Sequence, residues 1–410
     1  MNDSNRVTLN QKELKRLEVL NQLLAGKLTV AQAAQVLGVS QRQVQRLKAA
    51  YQTEGVGALV HGNRGRSSPK HTLSQQLRAQ IVELARTTYL GFNYQHLSEA
   101  LAERDEPILI SHSSVRRLLQ AEGIPSPRKR RAPKHRARRE RRAQAGMLIQ
   151  VDASRHDWLE GRGPYLSLVG GIDDATGEVP YALFRHQEDA QGYFLLLRQV
   201  VSTKGIPLAI YSDKHGIFRR NPKAQATIEE QLLGRLEPTQ FGRLMEELLI
   251  EVIFAQSPQA KGRIERLWGT FQDRLVSELR RAQAKTLAEA NTVLWGFLPR
   301  FNAHFARPPT QTESAYRPLP EGFDLERVFC FKYQRTVAND NTVTLEERRV
   351  AIPAGQVRLS YARARVEVHE RLDGSLAVYH GERQIAFAKV EGPPGGSPDL
   401  RVKRRHRSDY

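Results

Sequence analysis

The sequence predicts a multidomain chain: an all-α N-terminal third, a central α/β domain and a C-terminal small β-barrel. Three changes of pattern predict it. Apolar residues recur at helical spacing up to about residue 124. Short apolar runs then alternate with helical periods from 146 to 310. Polar–apolar alternation of period two takes over from 331. At roughly 100–200 residues per domain, the 410 residues allow several such units, each able to bury a core without disulfide staples.

The first unit spans 9–60. Leu14, Leu17, Leu20 and Leu24 line one helix. Thr29 and Ser40 stand where N-caps belong, Gly38 lies in the turn before Ser40, and the small Ala33 and Ala34 let two helices cross closely. This reads as a helix-turn-helix, with a plain helical hairpin as the alternative. The helix at 41–50 exposes Arg42, Gln43, Arg46 and Lys48, side chains of the types that reach base edges and phosphates in a major groove.

A flexible basic linker at 62–70 leads to a second helical unit, 71–124. Ile81, Leu84, Leu97, Leu101, Val115, Leu118 and Leu119 are its expected core. Ser111 or Ser113 caps a last helix that carries Arg116 and Arg117. A second helix-turn-helix and a helical spacer both fit. The next stretch, 125–145, is a basic linker: from 128 to 142 it holds ten Lys/Arg and one acid, Glu140. A charge run is ordinarily a solvated segment. Placed between a nucleic-acid-reading half and the α/β domain, this one is read as tracking phosphates, with Arg128, Lys129, Arg130 and Arg131 as candidate contacts.

From 146 the order is strand (148–152), strand (165–172), strand (179–184), helix (190–203), strand (208–211), helix (240–248), strand (250–254) and a helix opening near 259. Asp173-Asp174-Ala175-Thr176-Gly177 is read as the turn joining the second and third strands. That order is the order of a ribonuclease-H-like fold. The segment 331–391 predicts strands at 342–352, 365–369 and 376–379, which a small β-barrel would satisfy. The Gly/Pro-rich and basic stretch 392–410 predicts a disordered tail.

The formal net charge of +19 and sequence pI of about 10.2 point to polyanionic partners. A membrane surface is the competing partner, but no basic amphipathic helix with an aromatic apolar face is present. No apolar run approaches the roughly 20 residues that span a bilayer. The first fifteen residues lack the apolar stretch of a secretory signal. The one cysteine, Cys330, excludes an internal disulfide framework and fits a reducing cytosol, so a cytoplasmic protein without a membrane partner is expected.

Three acids fall where the expected fold converges. Asp152 ends the first strand, Asp213 follows the fourth, and Glu265 sits in the first turns of the helix after the fifth. Breaking or making a phosphodiester needs an activated oxygen nucleophile and a stabilised leaving oxygen. Two Mg²⁺ ions about 3.5–4 Å apart supply both. Magnesium is a hard ion that takes carboxylate, phosphate and water oxygens. Three carboxylates would otherwise repel one another, and metal resolves that. Lys261, Arg263 and Arg266 flank Glu265 and are candidate phosphate contacts. Each acid alone is more often a turn former or a cap; the combination points to Asp152, Asp213 and Glu265 as both catalytic residues and metal ligands.

The strings Ile149-Gln150-Val151-Asp152-Ala153-Ser154, Gly171-Ile172-Asp173-Asp174-Ala175-Thr176-Gly177, Tyr211-Ser212-Asp213-Lys214-His215-Gly216 and Ser257-Pro258-Gln259-Ala260-Lys261-Gly262-Arg263-Ile264-Glu265-Arg266 resemble bacterial insertion-sequence transposases of the ISNCY type. The resemblance covers roughly residues 10–390. It implies an integrase-like catalytic core (146–310) with a catalytic triad at Asp152, Asp213 and Glu265. It implies Mg²⁺ as cofactor, two ions per site, with Mn²⁺ as a substitute. It implies double-stranded DNA partners, namely the terminal inverted repeats of an element and its target, and association with the bacterial nucleoid when DNA is bound. Pairing two element ends requires a homodimer or higher oligomer. The stretch between Asp213 and Glu265 is longer than is usual for integrases, and the excess at about 219–238 reads as an insertion. A transposase-derived DNA-binding protein without catalysis and a ribonuclease-H-like nuclease are the alternatives.

Overall fold

The computed structural model describes residues 8–60, 73–127, 139–213, 215–219, 237–255, 262–355 and 358–389. The chain divides into two units, Met1–Ala79 and Gln80–Tyr410.

In the first unit, α1 (Gln11–Leu24), α2 (Val30–Leu37) and α3 (Gln41–Glu54) are followed by a 3₁₀ turn, Gly55–Leu59. The cap chemistry sets these boundaries. Thr29 and Gln32 form a capping box, each accepting from the other's backbone N–H. Gly38 ends α2 in the left-handed region (φ 64°), which costs a Cβ-bearing residue energy. Ser40 then caps α3. Leu20, Ala33, Val44 and Leu59 close a small core. Leu20, Val44 and Leu59 each contribute about 1.5–3 kcal/mol by burial. The expected helix-turn-helix is present.

Helix α4 (Gln75–Arg86) is followed in the second unit by α5 (Tyr94–Ala102) and α6 (His112–Ala121). Central strands are β1 (Ile149–His156), β2 (Leu166–Asp173), β3 (Ala182–Arg185), β4 (Ala209–Ser212) and β5 (Glu251–Phe254). They form one sheet in the order β3-β2-β1-β4-β5. The first three strands run antiparallel, and β1, β4 and β5 run parallel, as the ribonuclease-H-like order requires. Helices α7 (Ala190–Lys204) and α8 (Gln240–Glu247) cover one face, against Ile149, Val151 and Ile210. Helices α9 (Gly262–Arg281) and α10 (Leu287–Phe305) cover the other, against Leu166, Leu168 and Phe184. Because side chains alternate along a strand, β1 sends Ile149 and Val151 to the α7 side and Gln150 and Asp152 to the α9 side.

Helix α9 also docks α5. Asn93 donates to Asp273 at 2.7 Å, His96 lies 3.1 Å from Glu278, and Arg274 pairs with Glu99. From α10, Arg300 reaches Glu103 at 2.8 Å. The open edge of β3 is capped by α10: Asn291 bonds both backbone groups of Phe184, and Trp295 Nε1 donates to the Ala182 carbonyl. An edge satisfied by side chains is closed to strand addition.

After a short helix, α11 (Leu325–Val328), come β6 (Cys330–Thr336), β7 (Thr342–Leu345), β8 (Arg348–Ala351), β9 (Arg365–Arg371), β10 (Leu376–His380) and β11 (Arg383–Ala388). The expected barrel does not form. The strands make an open four-stranded sheet, β11-β10-β9-β6, and a separate β7-β8 ribbon packed on it through Val343, Val350 and Val368. The edge of β6 is already occupied: the Gln240 side chain bonds both backbone groups of Lys332, and Arg243 donates to the Cys330 carbonyl. The run 342–352, expected as one strand, reverses at Glu346, whose φ is 54°. Among the described residues no helix is long and apolar enough to cross a membrane. The stretches 128–138 and 390–410 and most of the expected insertion lie outside the described residues.

Candidate active site

Strand β1 and helix α9 meet in a repeating ladder. Gln150 Oε1 accepts from the Ile264 backbone N–H (3.4 Å), Asp152 Oδ2 accepts from Trp268 Nε1 (3.1 Å), and Gln272 Nε2 donates to Ser154 Oγ (3.4 Å). Two strand residues advance about 6.6–6.8 Å and four helix residues about 6 Å, so the two periods stay matched over this length. Gly170 lies directly across from Asp152 on β2. A Cβ there would stand 3.0 Å from the Trp268 ring and 3.1 Å from Ala182 Cβ. Glycine therefore leaves the space in which the indole reaches Asp152.

Asp213 follows β4 directly. The parallel register pairs Ile149 with Ile210 and Gln150 with Tyr211. Asp152 thus lies two residues beyond the last paired residue of β1, and Asp213 two beyond that of β4. Asp213 Oδ1 accepts the His215 backbone N–H at 3.0 Å. Tyr193, from α7, donates its hydroxyl to Glu188 at 2.6 Å. Burial first, then the negative charges of Glu188, Asp152 and Asp213, hold its phenol well above the ordinary range.

Glu265 is exposed on the first turn of α9. Three positions from Trp268, it is that residue's neighbour on the helix surface, with Cβ atoms about 5–6 Å apart. Among the described residues no three acidic, histidine or cysteine side chains close into a ready-made metal cage. The donors at hand are carboxylate oxygens, the hard ligands that Mg²⁺ selects.

The basic residues divide. Arg42 and Arg46 are exposed on α3, with Gln43 and Lys48 half-buried beside them. Arg116 and Arg117 are exposed on α6, and Arg266 on α9. Arg263 is engaged within the protein: its guanidinium bonds Asp174 at 2.6 Å and the Arg139 carbonyl at 2.8 Å. Arg128, Lys129, Arg130, Arg131 and Lys261 lie outside the described residues. The pair Asp173–Asp174 does build the expected turn, since Asp173 accepts the Ala175 and Thr176 backbone N–H groups. Both aspartates are nevertheless buried, which turn chemistry does not require. Sequence reasoning missed this burial. It also missed the Trp268 donor and the Tyr193 hydroxyl.

Residues 16–79 match a family model described as a winged helix-turn helix. Over nearly its whole length the chain is similar to two curated proteins. The protein named "Putative transposase y4bF" of Sinorhizobium fredii (strain NBRC 101917 / NGR234) is 35% identical over 91% of this chain and 79% of its own. The transposase for insertion sequence IS1202 of Streptococcus pneumoniae is 31% identical over 96% of this chain and 91% of its own. Among solved structures, the HTLV-2 integrase catalytic core domain in complex with magnesium aligns at 18% identity over 37% of this chain and 84% of that one. Its TM-score is 0.27, too loose a superposition to define the fold.

Proposed function

The chain belongs to the insertion-sequence transposases, and on that premise we propose that it cuts and joins DNA strands at Asp152, Asp213 and Glu265 in a Mg²⁺-dependent reaction. The observation that supports this reading is that strand β1, which bears Asp152, runs parallel and adjacent to β4, which Asp213 directly follows, while Trp268 of the helix that bears Glu265 donates to Asp152.

Bound Mg²⁺ would activate the attacking oxygen and stabilise the leaving one. Mn²⁺, with the same preference for oxygen ligands, would substitute. The protein's own groups position. Trp268 fixes the rotamer of Asp152, the His215 backbone fixes Asp213, and Glu265 closes the site from the helix. Arg266, one residue on, lies where it can meet substrate phosphate. The helix-turn-helix unit reads the element's ends through Arg42, Gln43, Arg46 and Lys48, with Arg116 and Arg117 as a second contact. A dimer or larger assembly would hold two ends together. Such a protein works in the cytoplasm on nucleoid DNA.

The test is to incubate the full chain with the DNA flanking its own gene, with Mg²⁺, and to map nicks at nucleotide resolution. Nicks at the element ends, lost in Asp152→Asn, Asp213→Asn and Glu265→Gln while gel-shift binding persists, are expected. Nicking that survives all three substitutions refutes the reading.

A further inference from the structure

Asp174 is 0% exposed, yet it is a carboxylate, and a buried charge is costly unless fully paired. It is fully paired. It accepts from the Arg139 guanidinium, the Arg142 backbone N–H (2.9 Å), Gln150 Nε2 (2.9 Å) and Arg263 (2.6 Å). Its neighbour Asp173 already organises the turn, so this second buried acid is not needed for that. Its partners lie elsewhere. Gln150 stands two residues before Asp152 on β1, and Arg263 two residues before Glu265 on α9. Gln150 closes the circuit, because its other side-chain atom accepts the Ile264 N–H, one of the backbone donors a helix start leaves unsatisfied.

We propose that Asp174 is a positioning residue of the active site: through Gln150 and Arg263 it locks the first turn of α9 against β1, and so sets where Glu265 stands relative to Asp152. The proposal rests on the catalytic reading above. A functional carboxylate must be held within roughly 0.5 Å of its working geometry by residues that are themselves locked. Glu265 is exposed, so its placement depends on the turn that carries it. The described end of the basic linker joins the same hub, through the side chain of Arg139 and the backbone of Arg142. Arg141 adds bonds to the carbonyls of Asp174 (3.2 Å) and Ala175 (3.1 Å).

The experiment titrates Mn²⁺ into the full-length chain without DNA and reads free Mn²⁺ by electron paramagnetic resonance. Thermal unfolding of each metal-free variant is measured in parallel. Asp174→Asn and Arg263→Gln should each weaken Mn²⁺ binding about 10–100-fold, the range for losing a group that orients metal ligands. The double variant should be no weaker than either single one, because both act through one hub. Arg263→Lys, which keeps a cation for Asp174, should recover part of the affinity. Should Asp174→Asn fail to fold, Arg263→Gln carries the test, since that side chain is 15% exposed and tolerates change better. Folded variants that bind Mn²⁺ like wild type overturn the proposal, as does a loss of thermal stability with no change in metal affinity. If wild-type binding is itself indifferent to Glu265→Gln and Asp152→Asn, the catalytic reading fails first and this inference fails with it.

Discussion

Replacing Glu278 by Gln should destabilise the second unit by about 3 kcal/mol at pH 7. Glu278 is 2% exposed on α9 and faces His96 of α5 at 3.1 Å, Arg281 at 2.8 Å and Arg300 at 3.5 Å. Burial alone would raise its carboxyl. The His96 hydrogen bond and the charges of Arg281, Arg300 and His96 outweigh burial and hold it at about 2, against an ordinary 4.5. At 1.36 kcal/mol per unit, that depression corresponds to about 3 kcal/mol of stability. The figure agrees with the roughly 3–5 kcal/mol lost when one partner of a buried pair is removed. Because the folded value lies below the unfolded one, the contribution is complete above about pH 4.5 and is lost as pH falls toward 2. Urea unfolding followed by tryptophan fluorescence measures it, since Trp158, Trp268 and Trp295 all lie in the second unit. The gap between wild type and Glu278→Gln should close as pH falls from about 4.5 toward 2. A gap under about 1 kcal/mol at pH 7, or one that persists unchanged to pH 2.5, refutes the reasoning.

Trp268→Phe keeps an aromatic side chain on α9 but removes the Nε1–H donor to Asp152, along with the outer indole ring that lies over Gly170. A hydrogen bond to a charged group is worth about 1.5–3 kcal/mol, so strand-nicking turnover should fall roughly 10–100-fold with end binding unchanged; turnover within twofold of wild type would remove Trp268 from the site. On α3, alanine at Arg42, Gln43 or Arg46 should cost about 1–3 kcal/mol on the element end and much less on scrambled DNA. Equal losses on both DNAs, measured at several salt concentrations, would make α3 an electrostatic contact only and move sequence reading to α6.

Where local chemistry decides an outcome, the sequence was readable. Thr29, Gly38 and Ser40 mark the helix-turn-helix because caps and left-handed turns depend on neighbouring residues alone. The five-stranded order followed from alternating periods, and with it the adjacency of the strands bearing Asp152 and Asp213. What stayed hidden rests on partners far along the chain. Asp174 reads as a turn residue until Arg263, 89 positions away, is seen to bond it. Arg263 reads as a phosphate contact for the same reason. The indole N–H of Trp268 has a role only because Gly170 clears the space beneath Asp152. The barrel expected after 331 fails because Gln240 and Arg243, far upstream, occupy the edge that would have closed it. Strand alternation carries no information about who covers an edge.

The most direct test of the account is a Mn²⁺-bound structure of the full chain on its own element end, with the ions located by anomalous scattering. The account predicts two peaks about 3.5–4 Å apart, each within about 2.0–2.4 Å of carboxylate oxygens drawn from Asp152, Asp213 and Glu265. Metal bound elsewhere, or Glu265 more than about 12 Å from both aspartates with DNA in place, would contradict it.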